Sequence, residues 1–165
     1  MYKRQYFGAL IGRYANRIKD SRITVDGKDY ALTKNEHENC LHGGINGFDK
    51  QIWEVEQPDE THLILRNTSP DGENGFPGNL NVTVRYSIEN NIFRITYDAI
   101  CDQPTHVNLT HHPYFNLKPD DENIGNHELR LYTSRYLETT PDLIPTGAIP
   151  VSYTHLRAHE TTLHL

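Results

Sequence analysis

Leu80-Asn81-Val82-Thr83-Val84-Arg85-Tyr86 is followed, after the pair Asn90-Asn91, by Phe93-Arg94-Ile95-Thr96-Tyr97-Asp98. Both segments alternate apolar and polar residues. Successive side chains of a strand leave by opposite faces, so this period of two marks half-buried strands. Leu80, Val82, Val84 and Tyr86 fall on one face, and Asn81, Thr83 and Arg85 on the other. Phe93, Ile95 and Tyr97 alternate in the same way with Arg94, Thr96 and Asp98, and the asparagine pair supplies the turn. The same signals extend outward. Residues 7–11 form a short apolar run, and residues 23–25 and 30–32 flank Asp26-Gly27, a strong tight-turn signal. Residues 52–55 and 62–66 lie either side of the polar Gln57-Pro58-Asp59-Glu60, and residues 128–133 read as a further strand. No long segment keeps a 3.6-residue apolar period. Short alternating strands with frequent Gly, Pro and Asn turns predict an all-β chain folded as an antiparallel β-sandwich.

Size and charge exclude several functions. The 165 residues are enough for one domain. A net charge of −6 argues against a nucleic-acid surface. No apolar run is long enough to span a membrane, and Met1-Tyr2-Lys3-Arg4 is not followed by a signal-type apolar core. Two cysteines, Cys40 and Cys101, make no disulfide framework and suit a reducing, cytoplasmic compartment. Cys40 precedes Leu41-His42, but no acyl-transfer motif accompanies it as a nucleophile.

The segment richest in chemistry is Val107-Asn108-Leu109-Thr110-His111-His112-Pro113-Tyr114-Phe115-Asn116-Leu117. Read as a strand, it puts Thr110, His112, Tyr114 and Asn116 on one face and Leu109, His111, Pro113 and Phe115 on the other. An imidazole beside a phenol suits a ligand with many hydroxyls; a strand with one wet side is the plainer alternative. Pro113 lacks a backbone donor and so marks a strand edge, end or bulge.

Other segments stand in a fixed order around it. They are Gly12-Arg13-Tyr14-Ala15-Asn16-Arg17-Ile18, then Leu41-His42-Gly43-Gly44, then Gly47-Phe48-Asp49-Lys50 with Trp53. Ser69-Pro70-Asp71-Gly72-Glu73, Gly75-Phe76-Pro77-Gly78 and Leu143-Ile144-Pro145-Thr146-Gly147 complete the set. In this order, from Tyr6 to about Val151, the chain resembles the galactose mutarotase (aldose 1-epimerase) family. The resemblance implies the family's large β-sandwich, the supersandwich type. It also implies interconversion of the α and β anomers of aldohexoses such as glucose and galactose, without cofactor or metal. The partner it implies is a small-molecule aldohexose, with neither nucleic acid nor membrane involved; the oligomeric state is left open.

Mutarotation needs a general acid at the ring oxygen and a general base at the anomeric hydroxyl. Histidine suits the acid, with an unperturbed pKa of about 6.5. By resemblance His112 is the proton donor, and His42 is a second catalytic histidine that binds the sugar and helps the proton transfer. Asn16, Arg17 and Tyr114 match sugar-binding positions, and Gly43 and Gly44 would let backbone approach the ligand. Where the family reads Asn-His-Ser-Tyr-Phe-Asn, this chain has His111-His112-Pro113-Tyr114-Phe115-Asn116; register selects His112 over His111. The family's base, a glutamate, and a sugar-binding aspartate lie beyond the matching part. Residues 1–151 are therefore expected to be a partial copy of the domain, with unpaired edges, poor solubility and at most trace activity. Residues 152–165 are read as a non-family, artefactual tail. Its His159-Glu160-Thr161-Thr162-Leu163-His164 misses the H-E-x-x-H zinc spacing by one residue, and the i, i+4 pair His155 and His159 reads as chance.

The remaining histidines, His37, His62, His106 and His127, read as ordinary surface groups, Arg13 as a solvated charge and Trp53 as core. Two other functions stay open. One is a non-catalytic carbohydrate-binding β-sandwich module. The other is a hexose-6-phosphate mutarotase relative, which would need a cationic pocket.

Overall fold

The alternation at residues 80–98 becomes the centre of a four-stranded antiparallel sheet in a computed structural model of the chain. The structure describes residues 6–118, 123–125 and 127–151. They belong to two compact units, Met1–Pro113 and Tyr114–Leu165.

In the first unit, strands β1 (Ala9–Ile11), β2 (Arg17–Ile18), β3 (Arg22–Val25), β4 (Lys28–Ala31) and β5 (Cys40–Leu41) come first. Strands β6 (Glu54–Glu56), β7 (His62–Ser69), β8 (Leu80–Glu89) and β9 (Ile92–Cys101) then form the large sheet in sequential order. Strand β10 (Thr110–His112) returns to pair with β1, setting Ala9 opposite His112 and Leu10 opposite His111. Strand β2 pairs with β5, and β3 with β4. The β3–β4 turn is Asp26-Gly27, with φ of 48° and 77°, the left-handed pair that a tight two-residue hairpin requires. Asn90 and Asn91, at 49° and 60°, make the same kind of turn between β8 and β9.

The inner face of the sheet is the one the alternation selects. Leu80, Val82 and Val84 are almost fully buried and pack with Leu10 and Phe48. Trp53, Leu65, Tyr86, Ile95, Tyr97 and Leu109 border this cluster. Burying each of the large aliphatic side chains contributes about 1.5–3 kcal/mol. A second cluster joins Ile23, Leu32, Cys40 and Phe76. Trp53 is core as expected: its ring meets Phe48 edge-on at 5.5 Å, and its indole N–H donates to the Phe48 carbonyl. The outer strands β6 and β9 pair on one side only within this sheet, and Val55, Ile92, Phe93 and Ile100 stay exposed there.

Three expectations from the sequence need correction. The strand expected at 52–55 begins instead at Glu54, and Ile52 is 94% exposed. Ladder pairing fixes this, because Glu54 is the first residue with a partner, Arg66, on β7. The polar face expected to run from Thr110 to Asn116 stops early. Strand β10 ends at His112, directly before Pro113, so strand register gives no orientation to Tyr114 or Asn116. Residues 128–133 form no strand. Leu129 and Leu131 supply the alternation, but a strand also needs a neighbour to take its backbone hydrogen bonds, and these residues have no ladder among the described residues.

The second unit is mostly irregular. Arg135 bridges Val151, and Thr139 bridges Pro145, closing a long loop around Leu143 and Gly147. The Leu117 N–H donates to His127 Nε2 at 3.0 Å.

Candidate active site

Arg13 makes the first deep difference from the sequence reading. It is 2% exposed, far from a solvated charge. Its Nε donates to Ser69 Oγ, and its Nη atoms donate to the carbonyls of Ser69, Pro70, Pro77 and Gly78 at 2.7–2.9 Å. The guanidinium lies over the Phe76 ring. Burial pulls its pKa down, opposed by the charges of Glu73, Asp71 and Asp102. A planar fork with five donors meets clustered carbonyls as an ammonium cannot. Arg13 thereby ties the loop at residues 69–78 to the segment that carries Asn16 and Arg17.

The turn at Leu41-His42-Gly43-Gly44 is fixed from the same loop. Asn74 Oδ1 accepts from Thr33 Oγ1 and the Asn46 N–H. Gly43 has φ of 86°, and a Cβ there would lie 1.8 Å from the Gly12 carbonyl oxygen. A Cβ on Gly44 would meet Thr33 Oγ1 and Asn74 Oδ1. These glycines are thus required by close packing of the chain on itself.

His42 and Asn16 hold each other. The Asn16 N–H donates to His42 Nδ1 at 3.0 Å, and the His42 N–H donates to the Asn16 carbonyl at 3.1 Å. Both residues have positive φ, 68° for Asn16 and 54° for His42. Because Nδ1 accepts, the proton of the neutral imidazole sits on Nε2. His42 is therefore a fixed donor. Burial, then repulsion from His112 and Arg17, push its pKa down to about 4, opposed by Asp49 and Glu36.

His112 arrives from β10. Its ring centroid is 5.4 Å from that of His42, with the planes at 88°. His111 points to the opposite side, against Tyr86 at 5.7 Å, and its Nε2–H donates to the Gly8 carbonyl. The expected register is the observed one at these two residues. Tyr6 joins the pair, 4.6 Å from His42 and 6.0 Å from His112.

Arg17 stands beside this group. Its Nε and Nη2 both donate to the Glu36 carboxylate at 2.6 Å, a two-pronged ion pair. Nη1 lies 3.4 Å from Asn16 Oδ1, which also accepts the Arg17 N–H. With Asn16 Oδ1 engaged inside the protein, its amide NH2 is the end that can serve a ligand. The structure thus brings His42, His112, Asn16 and Arg17 together. Tyr114 belongs to the second unit and is 56% exposed. Nothing in the sequence reading assigned a role to Tyr6 or Glu36. A polar run, Lys34 to Asn39, conceals which of its carboxylates reaches back 19 residues to Arg17.

Cys40 is fully buried, and burial pushes its thiol up to about 11, so it carries no reactive thiolate at neutral pH. His37 is exposed, and His62 sits on the surface against Asp59 and Glu89. His155, His159 and His164 lie outside the described residues, together with all of 152–165.

A pH effect follows from His42. An unfolded imidazole binds its proton near pH ~6.5, whereas the folded one does so only near about 4. Between these values the unfolded state holds more protons. Stability is therefore expected to fall as pH drops from about 6.5 to about 4, and that contribution is fully present above pH ~6.5. Urea midpoints at several pH values check this, with His42→Gln as reference. The wild-type chain should lose more stability across the window than the variant; equal slopes would place the titrating group elsewhere.

The chain belongs to the aldose 1-epimerase family, whose model matches residues 1–162 and so extends beyond Val151. A galactose mutarotase of Rattus norvegicus is 45% identical over 153 residues, which cover 90% of this chain and 44% of the relative. An aldose 1-epimerase of Escherichia coli is 43% identical over 141 residues, covering 85% and 41%. A solved GalM/aldose epimerase homologue from C. elegans superposes with a TM-score of 0.83 at 33% identity, covering 89% of this chain and 45% of that one. The fold is the all-β sandwich of these structures, and the chain spans a little under half the length of the relatives it matches.

Proposed function

We propose that the whole protein is an aldose 1-epimerase that interconverts the anomers of aldohexoses such as galactose and glucose. The observation that carries this reading is the edge-to-face pair of His42 and His112, with the His42 proton held on Nε2 by the Asn16 N–H. Around it stand donors: His42 Nε2–H, the Asn16 amide NH2 and the second N–H of Arg17 Nη1, whose first faces Asn16 Oδ1. Hydroxyl and ring oxygens of a sugar are the acceptors such a set matches.

In this reading His112 gives a ring proton to the ring oxygen of the sugar. A carboxylate base takes the proton of the anomeric hydroxyl. The electron pair of that O–H bond forms the C1 carbonyl, and the bond between C1 and the ring oxygen breaks. The open aldehyde rotates about C1–C2, and the steps reverse to close the other anomer. His42 stays neutral at the working pH, so it orients the sugar by donation and does not act as the acid. The base is assigned to the family's glutamate, outside these 165 residues. Tyr114 is a further sugar contact in this reading. Two free cysteines suit a cytoplasmic protein.

A hexose 6-phosphate is the weaker substrate. The Arg13 guanidinium is consumed by loop carbonyls, and the Arg17 fork by Glu36. Titrating the isotope-labelled chain with D-galactose tests the site. The ring resonances of His42 and His112 should move while that of His37 stays. No movement at tens of millimolar galactose, above the usual range of enzyme KM values, would refute the sugar site.

A further inference from the structure

We infer that Tyr6 is a positioning residue of the sugar site, its ring holding the His42 and His112 imidazoles in their mutual orientation. The inference rests on the proposed sugar-processing reading of that pair. The Tyr6 ring lies against both imidazoles. It meets His42 edge-on, with planes at 73°, and lies tilted at 33° to His112. A Tyr–His edge contact at 4.6 Å resists rotation of the imidazole about its own ring axis. That rotation is the movement that would take Nδ1 off the Asn16 N–H and turn the Nε2 proton away from a ligand.

Tyr6 is itself held firmly. Its φ of 54° is unusual for an aromatic residue and persists only where neighbours enforce it. Here they do so from both sides of β10. The Ala9 N–H donates to the Tyr6 carbonyl, closing the turn, and the Gly8 N–H donates to the His112 carbonyl. The His111 imidazole, from the other face, donates to the Gly8 carbonyl at 3.0 Å. Strand β10 thus fastens the Tyr6 turn with the backbone of His112 and the side chain of His111. The His111 side chain thus acts as an arm that reaches Gly8.

The test compares Tyr6→Leu with Tyr6→Phe. One readout needs no sugar: the nitrogen-15 shifts of the His42 imidazole in the ligand-free chain at neutral pH, which report where the proton sits. The other is the split of kcat and KM in the whole protein. Tyr6→Leu should move the His42 shifts towards a mixture of tautomers and lower kcat about tenfold or more, with KM changed less than threefold. Tyr6→Phe should recover most of both, since the ring does the holding. Should Tyr6→Leu fail to fold, His111→Leu, which releases Gly8 but leaves Tyr6 in place, should move the same shifts in the same direction by less. An unchanged His42 tautomer in the leucine variants would overturn the inference. So would Tyr6→Phe behaving like Tyr6→Leu, which would assign the role to the hydroxyl. If the whole protein shows no mutarotation, the sugar reading falls, and the tautomer shifts still decide whether Tyr6 holds the pair.

Discussion

In the whole protein, His112→Asn is expected to lower turnover by about two to four orders of magnitude, the usual contribution of a positioned general acid. Asparagine keeps a polar side chain but offers no proton of imidazole acidity to the ring oxygen. His111→Asn should cost less than about tenfold, well below the range typical of a lost general acid. The contrast rests on geometry. The His112 ring meets His42, whereas the His111 ring lies against Tyr86 and donates to the Gly8 carbonyl. Asparagine at 111 gives up the Nε2 contact to Gly8 but leaves the His42–His112 pair in place. Steady-state rates of the two variants settle the assignment. If the severe loss fell on His111→Asn, His111 and not His112 would be the acid.

Arg13→Met should be the most damaging single change to folding. It removes five hydrogen bonds and takes the guanidinium partner from the buried carbonyls of Ser69, Pro77 and Gly78 and from the part-buried carbonyl of Pro70. Each buried polar group left without a partner costs about 1–3 kcal/mol. A total above about 4 kcal/mol is a large part of the stability of an ordinary domain. Arg13→Lys should recover little, because one ammonium cannot reach Ser69 and Gly78 together. Urea unfolding followed by circular dichroism measures the loss; a change below about 1 kcal/mol would show that water replaces the guanidinium. The site should suffer with the fold. The loop at 69–78 presents Asn74, which receives Thr33 and Asn46 beside the His42 turn.

The strands of the large sheet were legible because their period of two maps directly onto burial: Leu80, Val82 and Val84 are the residues that close the core. The Asp26-Gly27 and Asn90-Asn91 turns were legible because few residue pairs tolerate two positive φ values in succession. The strand expected at 128–133 failed because alternation specifies a face and says nothing of a pairing partner. In the site, His42 and His112 were legible through their flanking motifs. Their neighbours Tyr6 and Glu36 were not, since each contact joins residues far apart in the chain and neither has a local pattern. Arg13 was misread for the same reason. One arginine in a polar segment looks solvated until a distant loop turns four carbonyls towards it.

Polarimetry of the whole protein with freshly dissolved α-D-galactose tests the proposed function most directly. The optical rotation should relax to its equilibrium value much faster than in buffer alone. The acceleration should scale with protein concentration and be lost in His112→Asn. A relaxation no faster than buffer, with galactose still perturbing the His42 and His112 resonances, would make the protein a sugar-binding module and not an epimerase.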